Sequence, residues 1–327
     1  MSNEWVLNFM TIRRFFLRGL LGLAALLLLL TALLVAVAWA PDQPLSVLTA
    51  RWAPPPSTFI NVNGLQVHLR DEGPRDDPLP IVLIHGTSAS LHTWEGWVSV
   101  LKQQHRVISM DLPGFGLTGP NAQDDYRSQT YVRFMLALLD QLAVKRCVLA
   151  GNSLGGDIAW QVAAAAPQRV ARLILVDSAG YPLLPESIPL AFQIARTPVL
   201  NKLMQVLLTR QIVEDSVRDV YGVPERVTPA LVDRYVALSL RAGNRRALAV
   251  RMAQTTFGDN AADIANVKLP TLILWGRRDH LIPLSHASRF QHDIAGSELV
   301  VFDDLGHVPH EEDPARTVAV VQAFLAH

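Results

Sequence analysis

Ser153 stands in Gly151-Asn152-Ser153-Leu154-Gly155, with Gly156 next. This is the G-x-S-x-G pattern, and its context is an apolar run before it and a helical pattern directly after. Such a turn holds the serine in a strained backbone conformation, while small residues on either side let neighbouring backbone pass close by. The helix that begins there aims its dipole and free N–H groups at the hydroxyl, which favours an oxyanion. The chemistry this suggests is nucleophilic attack by Ser153.

A hydroxyl needs a base within reach. His307, in Leu305-Gly306-His307-Val308-Pro309, lies between the last apolar run and the last helical pattern. A loop there, at the C-terminal edge of a parallel sheet, can reach the nucleophile. His310 is the nearest rival, but it reads as part of the next helix, and His85 reads as a brace for its own loop. The base needs a carboxylate behind it to fix its tautomer. Asp279, in Gly276-Arg277-Arg278-Asp279, gives the chain order Ser…Asp…His, and Asp177 is the alternative acid. Two N–H donors must face the developing charge. Leu154, after the nucleophile, supplies one, and Thr87 in His85-Gly86-Thr87-Ser88 is the candidate for the other. Trp94, Phe192 and Leu207 are candidates for touching substrate.

These side chains need a scaffold that converges them. The apolar runs Ile81–Ile84, 106–110, 147–150, 173–176, 271–275 and 299–302 lack clean alternation, as in strands buried on both faces. Segments of helical period separate them: Tyr131, Met135, Leu138 and Leu142 share a face, as do Leu154, Ile158 and Val162, and Val318, Val321 and Leu325. Repeated strand–helix units predict an α/β fold with a mostly parallel sheet and helices on both faces. A hairpin through Asn63-Gly64 precedes them. Residues 57–180 and 267–327 form the predicted core. Residues 181–266 hold no convincing strand and read as a helical cap. Its Leu183, Leu184, Ile188, Leu190, Phe192, Leu203, Met204, Leu207 and Leu208 exceed what a small polar substrate needs, although most will pack the cap onto the body.

The N-terminus is a different material. Residues 19–40 carry no charge, and Arg13, Arg14 and Arg18 precede them, whereas the next basic residue is Arg51. A helix of that length rises about 33 Å, the thickness of a bilayer's hydrocarbon. The charge asymmetry puts residues 1–18 in the cytoplasm and the catalytic part on the far side, periplasmic or lumenal. A cleaved signal peptide, with secretion, is the competing reading, because Ala38-Trp39-Ala40 has the small-x-small form. Residues 41–56, rich in proline, read as a stiff linker.

Other classes are excluded or weakened. Lys+Arg and Asp+Glu both number 29, which removes the basic excess of a nucleic-acid binder. Cys147, the single cysteine, excludes an internal disulfide and any multi-cysteine metal site. Gly114-Phe115-Gly116-Leu117-Thr118-Gly119 matches G-x-G-x-x-G, but Pro120 and a polar run follow where a nucleotide site needs a helix.

From residue 57 onward the chain resembles the α/β-hydrolase superfamily, in particular its capped serine hydrolases. The matching pieces are His85-Gly86 with Trp94, Asp111-Leu112-Pro113-Gly114-Phe115-Gly116, the Ser153 turn, Trp275-Gly276…Asp279…Pro283 and Gly306-His307. The resemblance implies an eight-stranded sheet, a lid between strands six and seven, and neither cofactor nor metal. Haloalkane dehalogenases and most epoxide hydrolases of this group carry Asp where Ser153 stands, which argues against those chemistries. The anchor and cap are similar in architecture to single-pass monoacylglycerol lipases. The expected activity is hydrolysis of carboxylic esters, of medium or long acyl chain or monoacylglycerol-like, through an acyl-enzyme. C–C bond hydrolysis, perhydrolysis or acyl transfer on the same triad is the alternative, and a non-catalytic binding protein is the third reading. The oligomeric state is open.

Overall fold

The computed structural model describes residues 3–182, 188–256 and 258–327. It opens on α1 (Asn3–Ala38), followed by α2 (Leu45–Trp52). The strands are β1 (Thr58–Val62), β2 (Leu65–Glu72), β3 (Ile81–Ile84), β4 (Val107–Met110), β5 (Cys147–Asn152), β6 (Val170–Val176), β7 (Thr271–Gly276) and β8 (Glu298–Phe302). They form one eight-stranded sheet in the order β1-β2-β4-β3-β5-β6-β7-β8. β2 alone runs opposite to the others, pairing antiparallel with both β1 and β4. Asn63 and Gly64, both at positive φ, turn the β1–β2 hairpin. β3, β5 and β7 are buried along their whole length, which is why their residues do not alternate.

Helices α3 (Glu95–Leu101), α4 (Ser128–Gln141) and α5 (Leu154–Ala165) connect the first strands. Between β6 and β7 lies the cap: α6 (Leu190–Arg196), α7 (Leu200–Met204), α8 (Arg210–Asp219), α9 (Pro229–Ser239) and α10 (Asn244–Gln254). The chain closes with α11 (Ser285–Asp293), α12 (Pro309–Glu312) and α13 (Pro314–Ala326). All parallel strands end at one edge. Thr87, Ser153, Asp177, Asp279 and His307 follow β3, β5, β6, β7 and β8 there, so residues up to 220 apart in sequence meet. Leu183 and Leu184 of the expected cap lie outside the described residues.

Within α1, Arg13–Ala38 holds an 18-residue stretch of mean hydropathy 2.9 that is not buried against the rest of the protein. At 1.5 Å per residue it is about 39 Å long, more than a bilayer's hydrocarbon thickness. Its one hydroxyl, Thr31, donates back to the Leu27 carbonyl and is satisfied within the helix. The stiff linker of 41–56 is corrected. Pro44 caps the start of α2 and Pro54 follows its end, so the prolines bracket a helix instead of extending a chain. Leu48 of α2 is buried against Leu117 and Leu238. The chain leaving α1 is stitched to the cap: Ala40 N–H donates to Val206 O at 2.9 Å, Leu208 N–H to Ala38 O at 2.9 Å, and Asp42 pairs with Arg245.

The G-x-G-x-x-G stretch is a turn wrapped around a carboxylate. Asp111 accepts from Leu91 N–H at 2.8 Å and Leu117 N–H at 2.7 Å and bonds His68 Nδ1 at 2.7 Å. A Cβ on Gly116, at φ +51°, would come 2.2 Å from that carboxyl. The glycine makes room for an internal acid, and no helix starts after it.

Several histidines are held neutral by this packing. His85 bonds Gly86 O through Nδ1 and accepts Leu112 N–H at Nε2. Burial lowers the pKa of His85, His310 and His286, and that of His92 to about 4. Groups depressed on folding bind protons more readily when unfolded, so they contribute stability above the ordinary histidine value and lose it as pH falls. The melting temperature should therefore drop as pH falls from about 6.5 toward about 4. Thermal melts across that window check it, and His92→Gln should flatten part of the slope.

Candidate active site

Ser153 caps the N-terminus of α5 with φ +55° and ψ −115°, a conformation that costs about 1–3 kcal/mol outside glycine. The strain is held by contacts that only glycine allows. A Cβ on Gly155 would stand 2.1 Å from the Ile84 carbonyl oxygen, and one on Gly151 would stand 2.1 Å from Gly155 O. Thus β3, the turn and α5 pass at backbone distance. Ser153 is nine-tenths buried, and its side chain and Leu154 line a cavity of about 350 Å³ beneath the cap.

His307 Nδ1 lies 2.7 Å from Asp279 Oδ2, both side chains buried. The other Asp279 oxygen accepts from Leu281 N–H at 2.8 Å and Ile282 N–H at 2.9 Å, which fixes the carboxylate plane. With Nδ1–H donating to Asp279, the tautomer leaves Nε2 as a base. Asp177 is the neighbour, not the partner. Its Oδ1 accepts Gly276 N–H at 2.9 Å, and its Oδ2 has no hydrogen-bond partner. Burial first, and then the Asp279 charge, push its carboxyl well above the usual carboxylate range, which favours its neutral form. Asp177, Asp279 and His307 bring one ligand atom each within 4.8 Å of one another. As a metal site this set is already spent, since His307 and Asp279 bond each other and Asp279 is filled by backbone donors.

Thr87 and Leu154 both line the cavity beside Ser153, and a Cβ on Gly86 would come 3.2 Å from Ser153 Cβ. The β3 loop therefore lies against the nucleophile, with His85 bracing it as expected. Phe192 lines the cavity. Trp94 and Leu207 do not, and both are corrected as substrate contacts. Trp94 is fully buried, its ring 4.0 Å from that of His310, because it packs α3 onto the C-terminal segment. Leu207 pairs with Trp39 at the end of α1. Cys147 is buried, its thiol pushed up to about 12 by burial, and it takes no part.

Two residues that sequence reasoning passed over hold the histidine loop. The Asn152 amide donates to Val176 O at 3.1 Å and to the His307 carbonyl at 2.9 Å, tying the nucleophile turn to the base. A polar residue at the buried end of an apolar strand was the available signal. Glu312 has a fully buried carboxylate. It accepts Gly306 N–H at 2.9 Å, Gly222 N–H at 3.0 Å and Val223 N–H at 2.7 Å, joining the His307 loop to the cap segment after α8. His307 N–H in turn donates to Val220 O at 2.8 Å. Removing this acceptor would orphan three buried donors at about 1–3 kcal/mol each. Glu312→Ala should lower stability by about 3 kcal/mol or more, whereas Glu312→Gln should fold and lose turnover with KM little changed. Chemical denaturation and steady-state kinetics read the two effects separately.

Residues 80–314 match the family described as alpha/beta hydrolase fold. The chain belongs to this family. Among its relatives, a 2-hydroxymuconate semialdehyde hydrolase of Pseudomonas sp. strain CF600 is 30% identical over 278 residues, covering 80% of this chain and 91% of the relative. The meta-cleavage product hydrolase of Pseudomonas fluorescens IP01 superposes with a TM-score of 0.72 at 25% identity, over 82% of this chain and 97% of the other. A membrane phospholipase A described as a bacterial virulence factor superposes with a TM-score of 0.68 at 27% identity, over 94% and 98%. That last share is too large to leave out all of residues 1–56.

Proposed function

We propose that this α/β-hydrolase is a membrane-anchored serine hydrolase of carboxylic esters with apolar acyl chains. Ser153 attacks the acyl carbonyl while His307 takes its proton. The N–H groups of Leu154 and Thr87 hold the tetrahedral oxyanion. Protonated His307 then releases the alcohol and activates water to cleave the acyl-enzyme, with Asp279 orienting the imidazole throughout. The observation that carries this reading is the strained Ser153 opening onto a cavity, with the bonded His307–Asp279 pair at the same sheet edge.

The membrane part rests on α1 and on what lies beside its end. Trp39 is exposed where it pairs with the cap, and so are Val199, Leu200, Leu203 and Val206 of the cap segment it meets. Such a patch suits the headgroup boundary. Likeness to a membrane phospholipase over nearly the whole chain supports ester chemistry at a bilayer. Likeness to the meta-cleavage enzymes supports the second reading, C–C bond hydrolysis on the same three residues.

A panel of nitrophenyl esters from acetate to palmitate, run on the full chain in non-ionic detergent, should show turnover rising with chain length. Best turnover on acetate would overturn the lipid reading. Greater efficiency on a vinylogous diketone than on every ester would favour the C–C reading.

A further inference from the structure

Arg251, on α10 of the cap, lines the same cavity as Ser153 and Leu154. It is 5% exposed, and its Nε is buried without a hydrogen-bond partner. A guanidinium stays charged in proteins, and a buried charge normally has a counter-charge. The arginines earlier in the same helix obey that rule, Arg245 holding Asp42 and Arg246 holding Asp124. Among the described residues Arg251 forms no such pair. It lies by the Tyr131 hydroxyl, which gives its own proton to Pro113 O. Asp157 acts on it electrostatically, but Asp157 Oδ2 is engaged by Gln161 at 2.9 Å and Ser128 at 3.2 Å. Arg196 of α6 lines the cavity as well, and so do the carboxylates Asp157 and Asp259.

We propose that Arg251 receives an anionic group of the substrate, a carboxylate or a phosphate, whose other end presents the scissile carbonyl to Ser153. This rests on the hydrolase reading and narrows it to amphiphilic acidic substrates. Ile188, Phe192 and Met252 add apolar wall to the same cavity. An oxyanion there would take two parallel N–H donors from the guanidinium fork and supply the missing counter-charge. A neutral ester of the same shape would leave the arginine buried and uncompensated.

The test is direct binding to full-length Ser153→Ala protein in non-ionic detergent, by calorimetry, so that turnover plays no part. One arm pairs methyl half-esters of dicarboxylic acids, malonate to adipate, with their dimethyl esters. The other pairs a monoacylglycerol phosphate with the matching monoacylglycerol. At least one anion should bind about tenfold or more tighter than its neutral partner, and the arm that does so identifies the group. Adding Arg251→Met should erase the preference, and Arg251→Lys, which keeps charge without the fork, should restore part of it. Absence of any anion preference in the Ser153→Ala chain overturns the proposal, as does a preference that survives Arg251→Met. Failure of the enzyme on esters would leave this result standing and would sink the hydrolase reading alone.

Discussion

Ser153→Ala is expected to lower turnover by about 10⁶-fold while leaving the fold intact, and to abolish covalent labelling by a fluorophosphonate probe. The size follows from how the residues act. Nucleophile and base form one unit, so removing either one costs nearly as much as removing both. The remaining rate would come from the oxyanion donors and from binding. Stability should not fall, and it should rise slightly, because Ser153 sits at φ +55° and its hydroxyl caps no helix N–H. Alanine tolerates that backbone no better, but the substitution removes a polar group that is nine-tenths buried. Thermal melting alongside active-site titration checks both halves. Retained probe labelling in the alanine variant would mean that another residue is the nucleophile. Unlabelled wild-type protein with normal melting would favour the binding-protein reading.

The sheet and the catalytic order were legible in the sequence for a physical reason. Strands buried on both faces must be apolar throughout, so β3, β5 and β7 stand out as short runs, and the predicted starts of β3, β5 and β7 match the structure. The Ser153 turn was legible because its sterics demand glycine at 151 and 155, where a Cβ would sit 2.1 Å from a carbonyl oxygen. The choice between Asp279 and Asp177 could be ranked from the Gly-containing loop but not decided, since both follow strands at the same edge. What separates them is burial and hydrogen bonding.

What escaped the sequence is long-range pairing. Glu312 meets Gly222 and Val223 across 90 residues or so of chain, and no local pattern encodes which backbone donors a carboxylate will find. α2 was missed because prolines were read as a chain extender, when Pro44 and Pro54 sit just outside a helix that is held by tertiary contacts of Leu48. Trp94 looked like a ligand contact from its place after the β3 loop, but a large aromatic near a site is as easily core, and here it stacks on His310. Arg251 gave no signal among the charges of an amphipathic cap helix. Burial does not set it apart from Arg245, which is 3% exposed; among the described residues it lacks the carboxylate partner that Arg245 has in Asp42 and Arg246 has in Asp124.

Asp279→Asn and Asp177→Asn should behave oppositely, although the two carboxyls stand side by side. Asparagine at 279 keeps the two contacts from Leu281 and Ile282 N–H, but its amide cannot accept His307 Nδ1–H and stabilise imidazolium as a carboxylate does. Turnover should fall by about 10⁴-fold with the fold retained. At 177 the raised pKa favours the neutral carboxyl, so an amide of the same shape stays close to its charge state. Its oxygen still takes Gly276 N–H. Activity should stay within about threefold of the parent, as for a substitution that keeps shape and takes nothing from the His307–Asp279 pair. The pH dependence gives a second readout with a definite sign. The folded pKa of Asp177 is raised, so the folded state binds its proton longer than the unfolded chain does, and stability is lost as pH rises above the ordinary aspartate value of about 4. Asp177→Asn removes that loss, so its melting temperature should gain on the parent's as pH rises above about 4. A collapse of turnover in Asp177→Asn with Asp279→Asn still active would reverse the assignment of the acid. It would also require the imidazole of His307 to rotate away from the 2.7 Å contact it now makes.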